Sequence, residues 1–365
     1  MRVALDASAV PERVAGAGRY VTEIARRLPD AGTDLVLVTR RGDEARWREW
    51  SPHADVASLV PSGRVPRLVF EAWRLGRSTV ARGVTVWHGP HYTMPRHGTT
   101  PAVVTIHDLT YFTHPQFHER AKAVFFRRAI SYAASHARVL ICVSDFTANQ
   151  LRELFPQHAP IVVAPHGVDL ERFTPVRERT ANSASVEPYV PPRGTIEPRK
   201  GLSTLLGAFA EVARARPDVE LWIAGQAGWG RDPIEAIDRH AARSRIRRLG
   251  FVNEVELPDL LRRARVVAYP SFAEGFGLPV LEAMASGAPV VTSSGTVMAD
   301  VAGDAAILCP PGDEDALARS LISALRLSDD ERRAVATRAR ARSERYTWAS
   351  SVERHLAAYE LASRS

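Results

Sequence analysis

Short, unbroken apolar runs alternate with longer amphipathic stretches along nearly the whole chain. In the first half the runs are Val3–Leu5, Leu35–Val38, Val84–Trp87, Val103–Ile106, Val139–Val143 and Ile161–Ala164. Runs of this kind suit strands of a parallel sheet covered on both faces, and parallel neighbours need a crossover between them. Helices are expected at Tyr20–Leu28 and Ala121–Ala134, with Ser144 capping a helix from Phe146 to Leu154. The second half repeats the scheme with Glu220–Ala224, Val266–Tyr269 and Val290–Thr292 as strands. An α/β doubly wound sheet therefore follows for each half. Residues 170–193, rich in Pro, Arg, Ser and Glu without apolar periodicity, read as the linker. A length of 365 residues is natural for two domains of ordinary size.

The segment Glu274-Gly-Phe-Gly-Leu-Pro-Val-Leu-Glu282 carries the sharpest chemical signal. It follows the Val266–Tyr269 run, which Pro270 and Ser271 end, and it opens a helix near Leu278. Gly275 and Gly277 permit positive φ and a close backbone approach, so the amides around Phe276 and Leu278 can turn toward an anion at the helix start. Glu274 lies in the loop and Glu282 about one turn into the helix, where a carboxylate accepts hydrogen bonds from a vicinal diol. Phosphate beside sugar hydroxyls satisfies both halves of the segment; a capping loop with solvated glutamates is the bland alternative.

Upstream, Gly194-Thr-Ile-Glu-Pro-Arg199-Lys200-Gly201 precedes an amphipathic stretch. Lys122 and Lys200 are the two lysines among 48 basic residues. A chain that otherwise writes Arg keeps one compact ammonium beside a guanidinium at a strand-to-helix turn. That combination suits a diphosphate. A solvated pair of cations at a helix start is the alternative, and the helix dipole disfavours it unless an anion binds.

Six segments together resemble the retaining glycosyltransferases of family 4. They are Gly16-Ala-Gly18-Arg19, Thr105-Ile-His107-Asp108-Leu109, Val143-Ser-Asp-Phe146, Pro165-His-Gly-Val-Asp169, Gly194–Gly201 and Glu274–Glu282, and they occur in the family's order. The resemblance implies a GT-B fold of two facing Rossmann-like domains: residues 1–170 for the acceptor, 171–193 as hinge and 194–345 for the donor. It further implies that the last helix, 346–365, packs back on the first domain. Ile106–Tyr111 and Gly194–Lys200 are similar to the mannosyl- and rhamnosyltransferase branch of bacterial surface polysaccharide synthesis. GDP-mannose is the donor expected first and dTDP-rhamnose second, with a glycan or lipid-linked glycan as acceptor.

By the same resemblance, His107, Glu274, Arg199 and Lys200 form the catalytic set. Gly16, Gly18, Arg199, Lys200, Gly275, Phe276, Gly277 and Leu278 hold the donor diphosphate, Glu274 the donor sugar and Glu282 the ribose. Val252 and Glu254 meet the base, and Arg19 and Asp108 face the acceptor. No Asp-x-Asp cluster appears, so a metal-independent reaction and no cofactor are expected. A dinucleotide oxidoreductase built on Gly16 and Gly18 is set aside, because position 21 is Val and the second strand ends in Thr39-Arg40-Arg41 rather than an acid. Pro191-Pro192 departs from the family, which places a continuous apolar strand there. A shortened strand is one outcome; a nucleotide-sugar-binding or scaffold protein without catalysis is the other.

Net charge is +7, and nine arginines lie between Arg40 and Arg82 with Trp47, Trp50, Phe70 and Trp73 interleaved. A second basic-aromatic stretch runs from Arg120 to Arg128. The mixture fits an anionic membrane surface or an arginine-rich solvated face. Nucleic acid is not expected, since no helix-turn-helix, zinc or RNA-binding signature accompanies the charge. No run approaches the ~20 apolar residues of a membrane span, and Met1–Asp6 reads as a first strand, so a cytoplasmic protein is expected, peripheral on the membrane if the basic face docks. Cys142 and Cys309 read as buried thiols.

Overall fold

The computed structural model describes residues 1–12, 14, 16–175, 188–190, 195–227 and 233–364. The chain divides into two units, Met1–Gly167 with Trp348–Ser365, and Val168–Thr347.

In the first unit seven strands form one parallel sheet: β1 (Arg2–Asp6), β2 (Asp34–Arg40), β3 (Asp55–Val60), β4 (Val86–Gly89), β5 (Ala102–Ile106), β6 (Val139–Cys142) and β7 (Ile161–Val163). Their order, β3-β2-β1-β4-β5-β6-β7, reverses direction between β1 and β4. Ligands of doubly wound sheets collect beyond the carboxyl ends of the strands at such a reversal. The six apolar runs fall on six of these strands. β3 lies at the sheet edge and mixes Ser, Ala and Val in partly exposed positions, so it lacks the apolar run that betrays a central strand. Ser144 caps the helix Asp145–Leu154 by accepting from the Thr147 amide.

The helix Trp348–Ser363 belongs to this unit. Trp348, Val352, Ala358, Tyr359 and Ala362 enter the same core as Val3, Leu5, Ile24 and Val103. Burying each large apolar side chain contributes about 1.5–3 kcal/mol, which is what holds the last helix on a sheet formed so much earlier in the chain. Trp47 corrects the reading of a basic-aromatic surface: it is fully buried in this core, with Trp50 packed against it. Phe70 is also partly buried, and of the four aromatics Trp73 stays exposed.

The second unit has a six-stranded parallel sheet of β8 (Pro188–Val190), β10 (Leu221–Ala224), β12 (Ile246–Gly250), β13 (Val266–Tyr269), β14 (Val290–Ser293) and β15 (Ile307–Cys309). The order is β12-β10-β8-β13-β14-β15, so this sheet reverses between β8 and β13. β9 (Thr195–Ile196) and β11 (Gln226–Ala227) pair separately. Pro191-Pro192 lies outside the described residues. The strand before it is short and central: Tyr189 pairs with Trp222 on one side and Val267 on the other. Pro188 is its first residue, the one place where a missing amide costs a strand little. Residues 168–175 are tied to this unit, because the Arg340 guanidinium donates to the carbonyls of Phe173 at 2.7 Å and Leu170 at 3.1 Å.

Candidate functional site

Two loops meet where the second sheet reverses. After β8 and β9 the chain turns through Pro198–Lys200 and is stopped by Gly201 at φ 70°. A Cβ on Gly201 would lie 2.1 Å from the Pro270 carbonyl oxygen, so the turn rests directly on the end of β13. Ser271 Oγ and the Phe272 amide both donate to the Arg199 carbonyl, at 2.9 and 2.8 Å. These bonds fix the two loops to each other before any side-chain charge is considered.

The charges complete the join. Arg199 Nη1 stands 2.8 Å from Glu274 Oε2, and Lys200 Nζ contacts Glu274 Oε1. Lys200 also donates to the Tyr269 hydroxyl at 2.6 Å, and that hydroxyl donates to Glu274 Oε1 at 2.9 Å. Glu197 braces Arg199 Nε from the other side at 3.0 Å. The Arg199, Lys200 and Glu274 side chains are 16%, 11% and 12% exposed, so water screens them weakly. Burial pushes the Glu274 carboxyl up, but the Arg199 and Lys200 charges outweigh it and hold the group at about 2. Burial and Arg199 pull the Lys200 ammonium down, with Glu274 opposing.

The arrangement is a preorganised pair of cations around one carboxylate at the carboxyl end of a parallel sheet. Such a pair stabilises an anion that arrives with more charge than the carboxylate supplies. Tyr269, Ser271 and Glu197 were not legible as site residues. The hydroxyls sit at the end of an apolar strand, and nothing in their spacing marks their direction.

Downstream, Gly277 takes φ 94° at the start of the helix Leu278–Ala285, and Pro279 occupies its first turn. Gly275 is not among the glycines with positive φ, so the expectation holds at one of the two positions. Glu282 is 2% exposed, inside the helix. Glu254, expected to meet the base, accepts from Arg172 Nη1 at Oε2 at 2.8 Å, and its carbonyl accepts from the same guanidinium. Phe251 beside it is 44% exposed and Val252 is half-buried.

In the first unit, Gly16 precedes the helix Ala17–Arg27 at φ 52°, and Gly18 lies in its first turn. Arg19, expected to face the acceptor, has a side chain that is 5% exposed and stands 3.7 Å from Glu23. Asp108 Oδ1 accepts from the amide and hydroxyl of Thr110 at 3.0 and 2.6 Å, turning the chain after β5. His107 Nε2 donates to the Pro90 carbonyl at 2.8 Å, which assigns the proton to that nitrogen. Burial lowers the His107 pKa, so the ring is neutral. Tyr20, His91, Tyr92 and His166 pack around it with ring centroids 4.9 to 5.9 Å apart in contacting pairs. Tyr92 is the one non-glycine described at positive φ, 64°, and its strain sits beside the histidine.

A buried chain of hydrogen bonds supports this cluster, and its direction follows by elimination. The Ser351 carbonyl only accepts, so His355 Nδ1 donates to it at 2.6 Å. Neutral His355 then accepts at Nε2 from the Tyr20 hydroxyl at 2.6 Å. Tyr20 accepts from Thr105 Oγ1 at 2.8 Å, Thr105 from His88 Nε2 at 2.8 Å, and His88 Nδ1 from Tyr359 at 2.8 Å. Burial lowers both imidazoles, His355 to about 4. The last helix is thus tied by polar bonds to β4, β5 and the helix carrying Gly18. The sequence gives no sign of these pairings, since partners lie up to 335 residues apart.

Two family descriptions match consecutive parts of the chain: Glycosyltransferase Family 4 over residues 14–172, and Glycosyl transferases group 1 over residues 178–342. The chain is a glycosyltransferase with a family 4 domain followed by a group 1 domain. This glycosyltransferase is 29% identical to the O-antigen chain mannosyltransferase B of Escherichia coli, across 99% of its own length and 100% of the relative's. It is 32% identical to the phosphatidyl-myo-inositol mannosyltransferase of Mycolicibacterium smegmatis, across 62% of its own length and 59% of the relative's. Sucrose-phosphate synthase from Thermosynechococcus elongatus shares its fold, with a TM-score of 0.80, 22% identity and coverage of 100% of both chains. The fold is GT-B and the enzyme a hexosyltransferase. Among the described residues, no helix is long and apolar enough to cross a membrane, and no group of three or more His, Cys, Asp or Glu is placed to hold a metal.

Proposed function

We propose that the enzyme moves mannose from GDP-mannose to a glycan or lipid-linked glycan with retention of anomeric configuration and without a metal ion, dTDP-rhamnose being the second donor. The observation that carries this reading is the Arg199–Lys200–Glu274 cluster on the loops that flank the reversal of the second sheet. Likeness to a mannosyltransferase over the full length supports the choice of sugar.

The reaction breaks the bond between the sugar C1 and a phosphate oxygen, leaving a nucleoside diphosphate and an oxocarbenium-like ring. Arg199 and Lys200 neutralise the charge that grows on the leaving diphosphate, which is the positive charge a divalent ion supplies elsewhere. Glu274 already sits between the two cations, so incoming phosphate oxygens share them and leave its second face for sugar hydroxyls. Glu282 is assigned to the ribose, the amides around Gly275, Phe276, Gly277 and Leu278 to the diphosphate, and neutral His107 to the donor sugar. The acceptor hydroxyl forms the new bond to C1 on the face the phosphate leaves, and its proton passes to the departing phosphate oxygen. Tyr20, held by the buried chain, keeps the His107 ring in place.

A donor panel tests the reading. Thermal stabilisation and slow hydrolysis are measured with GDP-mannose, dTDP-rhamnose, UDP-glucose and ADP-glucose, each with and without a chelator. One donor should stabilise and turn over, insensitive to chelator, and Lys200→Ala should weaken the stabilisation and lower turnover by about 10²–10³. Activity that the chelator removes, or that Lys200→Ala leaves at the wild-type level, overturns the proposal.

A further inference from the structure

Tyr269 ends the apolar strand β13 and is 2% exposed. A phenylalanine would fill the same space, and a buried hydroxyl costs stability unless it is hydrogen-bonded. This hydroxyl is bonded twice. Lys200 Nζ lies 2.6 Å from it and Glu274 Oε1 2.9 Å. An ammonium only donates, so Lys200 gives the first bond and the single phenolic proton goes to Glu274. The backbone behind the hydroxyl is fixed as well. Tyr269 stands opposite Thr292 in the parallel pair β13–β14, and Thr292 Oγ1 donates to the Tyr269 carbonyl at 2.9 Å. Lys200 Nζ also lies 5.1 Å from the centroid of the Tyr269 ring, so the ring flanks the ammonium that its hydroxyl holds.

An ammonium carries three N–H bonds on one freely turning stem. Tyr269 and Glu274 take two of them, and they are the hydrogen-bond partners of Lys200 Nζ among the described residues. Fixing two directions of a tetrahedral group fixes the third. Without the hydroxyl the bond to Glu274 alone remains, the ammonium turns about it, and the third N–H loses its direction. Arg199 needs no such aid. Its planar guanidinium is braced at Nε by Glu197 and at Nη1 by the Ala273 carbonyl, each at 3.0 Å.

We propose that the Tyr269 hydroxyl is the positioning group of Lys200: it takes one N–H of the ammonium, Glu274 takes a second, and the third is thereby aimed at the leaving diphosphate. The inference rests on the assignment of Arg199 and Lys200 to that diphosphate. It carries a pH dependence. Lys200 faces Arg199, Glu274, Glu197 and the Tyr269 hydroxyl. Burial and then Arg199 pull the Lys200 ammonium down, whereas burial and then Glu274 raise the Tyr269 phenol well above its ordinary 10. Lys200 therefore loses its proton before Tyr269 as pH rises. The hydroxyl favours the ammonium by accepting from it, so removing the hydroxyl makes that proton leave at lower pH.

Inorganic pyrophosphate is the probe, since it presents a diphosphate without base or sugar. Calorimetry in chelator reads its affinity for wild type, Tyr269→Phe, Lys200→Ala and the double variant. Tyr269→Phe should bind about 10-fold more weakly, the scale of one hydrogen bond to a charged group. In the Lys200→Ala background the same substitution should change nothing, because the hydroxyl acts through the ammonium. On the alkaline side, the affinity of Tyr269→Phe should fall at lower pH than that of wild type, the titration of pyrophosphate itself being common to both. Wild-type affinity in Tyr269→Phe, an equal loss in both backgrounds, or an unmoved alkaline fall would each overturn the proposal while Lys200→Ala still weakens binding. Wild-type affinity in Lys200→Ala would instead remove the diphosphate assignment, and this inference with it.

Discussion

Replacing Glu274 by Gln removes one negative charge and leaves the volume nearly unchanged. A carboxyl held at about 2 instead of its ordinary 4.5 is worth about 3 kcal/mol at neutral pH, at 1.36 kcal/mol for each tenfold in acidity. The side chain is 12% exposed, so solvent screening takes little from that figure. Removing the anion also leaves Arg199 and Lys200 facing each other, and breaking a buried pair costs about 3–5 kcal/mol. The second unit of Glu274→Gln should therefore melt about 6–12 °C below wild type, at 2–4 °C per kcal/mol for a domain of this size. Differential scanning calorimetry reads it. Adding a nucleoside diphosphate should restore more of the loss in the variant than it adds to wild type, because phosphate oxygens replace the missing anion. The sign with pH is definite. A depressed carboxyl stabilises above its unfolded value, so this contribution is complete above about pH 4.5 and disappears as pH falls toward 2. A variant that melts with wild type, or that diphosphate fails to rescue, refutes the view of Glu274 as the counter-ion of the pair.

Lys200→Ala should lower donor turnover by about 10²–10³, the usual loss for one preorganised donor at a leaving group, and steady-state kinetics on the chosen donor checks it. Gly201→Ala should destabilise the second unit markedly, since its Cβ meets the Pro270 carbonyl oxygen at 2.1 Å. Gly18→Ala should be tolerated thermally, since the nearest atoms lie at 3.6 Å; thermal melts of the pair compare them. Tyr20→Phe breaks the buried chain and strands the His355 Nε2 acceptor, which should cost about 1–3 kcal/mol in urea titrations. His355 adds an acid limit: burial holds it near 4, so the unfolded state takes up the proton first and stability of the first unit should decline as pH falls from 6.5 toward 4. His355→Gln should flatten that slope.

The two-sheet plan was legible because both sheets are parallel, and central strands covered on both faces must be continuously apolar. β12 escaped the same reading for the reason β3 did: Ile246-Arg-Arg-Leu-Gly lies at an edge, where Arg247 and Arg248 are exposed and Arg247 pairs with Glu220 at 2.7 Å. Arg199, Lys200 and Glu274 stood out by composition and spacing, and the fold brings them into contact. Their partners Tyr269 and Ser271 did not stand out, since a tyrosine ending an apolar strand looks the same whether its hydroxyl turns outward or onto Lys200. The pairings of Arg19 with Glu23 and of Glu254 with Arg172 were not legible either, because they are decided by rotamers that spacing does not encode. The tryptophans near Arg46 misled because aromatic residues between arginines read alike on a surface and in a core.

The most direct test of the account is the affinity of the resting enzyme for the nucleoside diphosphate product, measured by calorimetry in chelator for wild type, Arg199→Ala and Lys200→Ala. The account predicts tight binding by wild type and a loss of about 10-fold or more in each variant, at roughly 1.5–3 kcal/mol for a hydrogen bond to a charged group. Equal affinity in all three proteins, or binding that appears only when a divalent ion is returned, would contradict it.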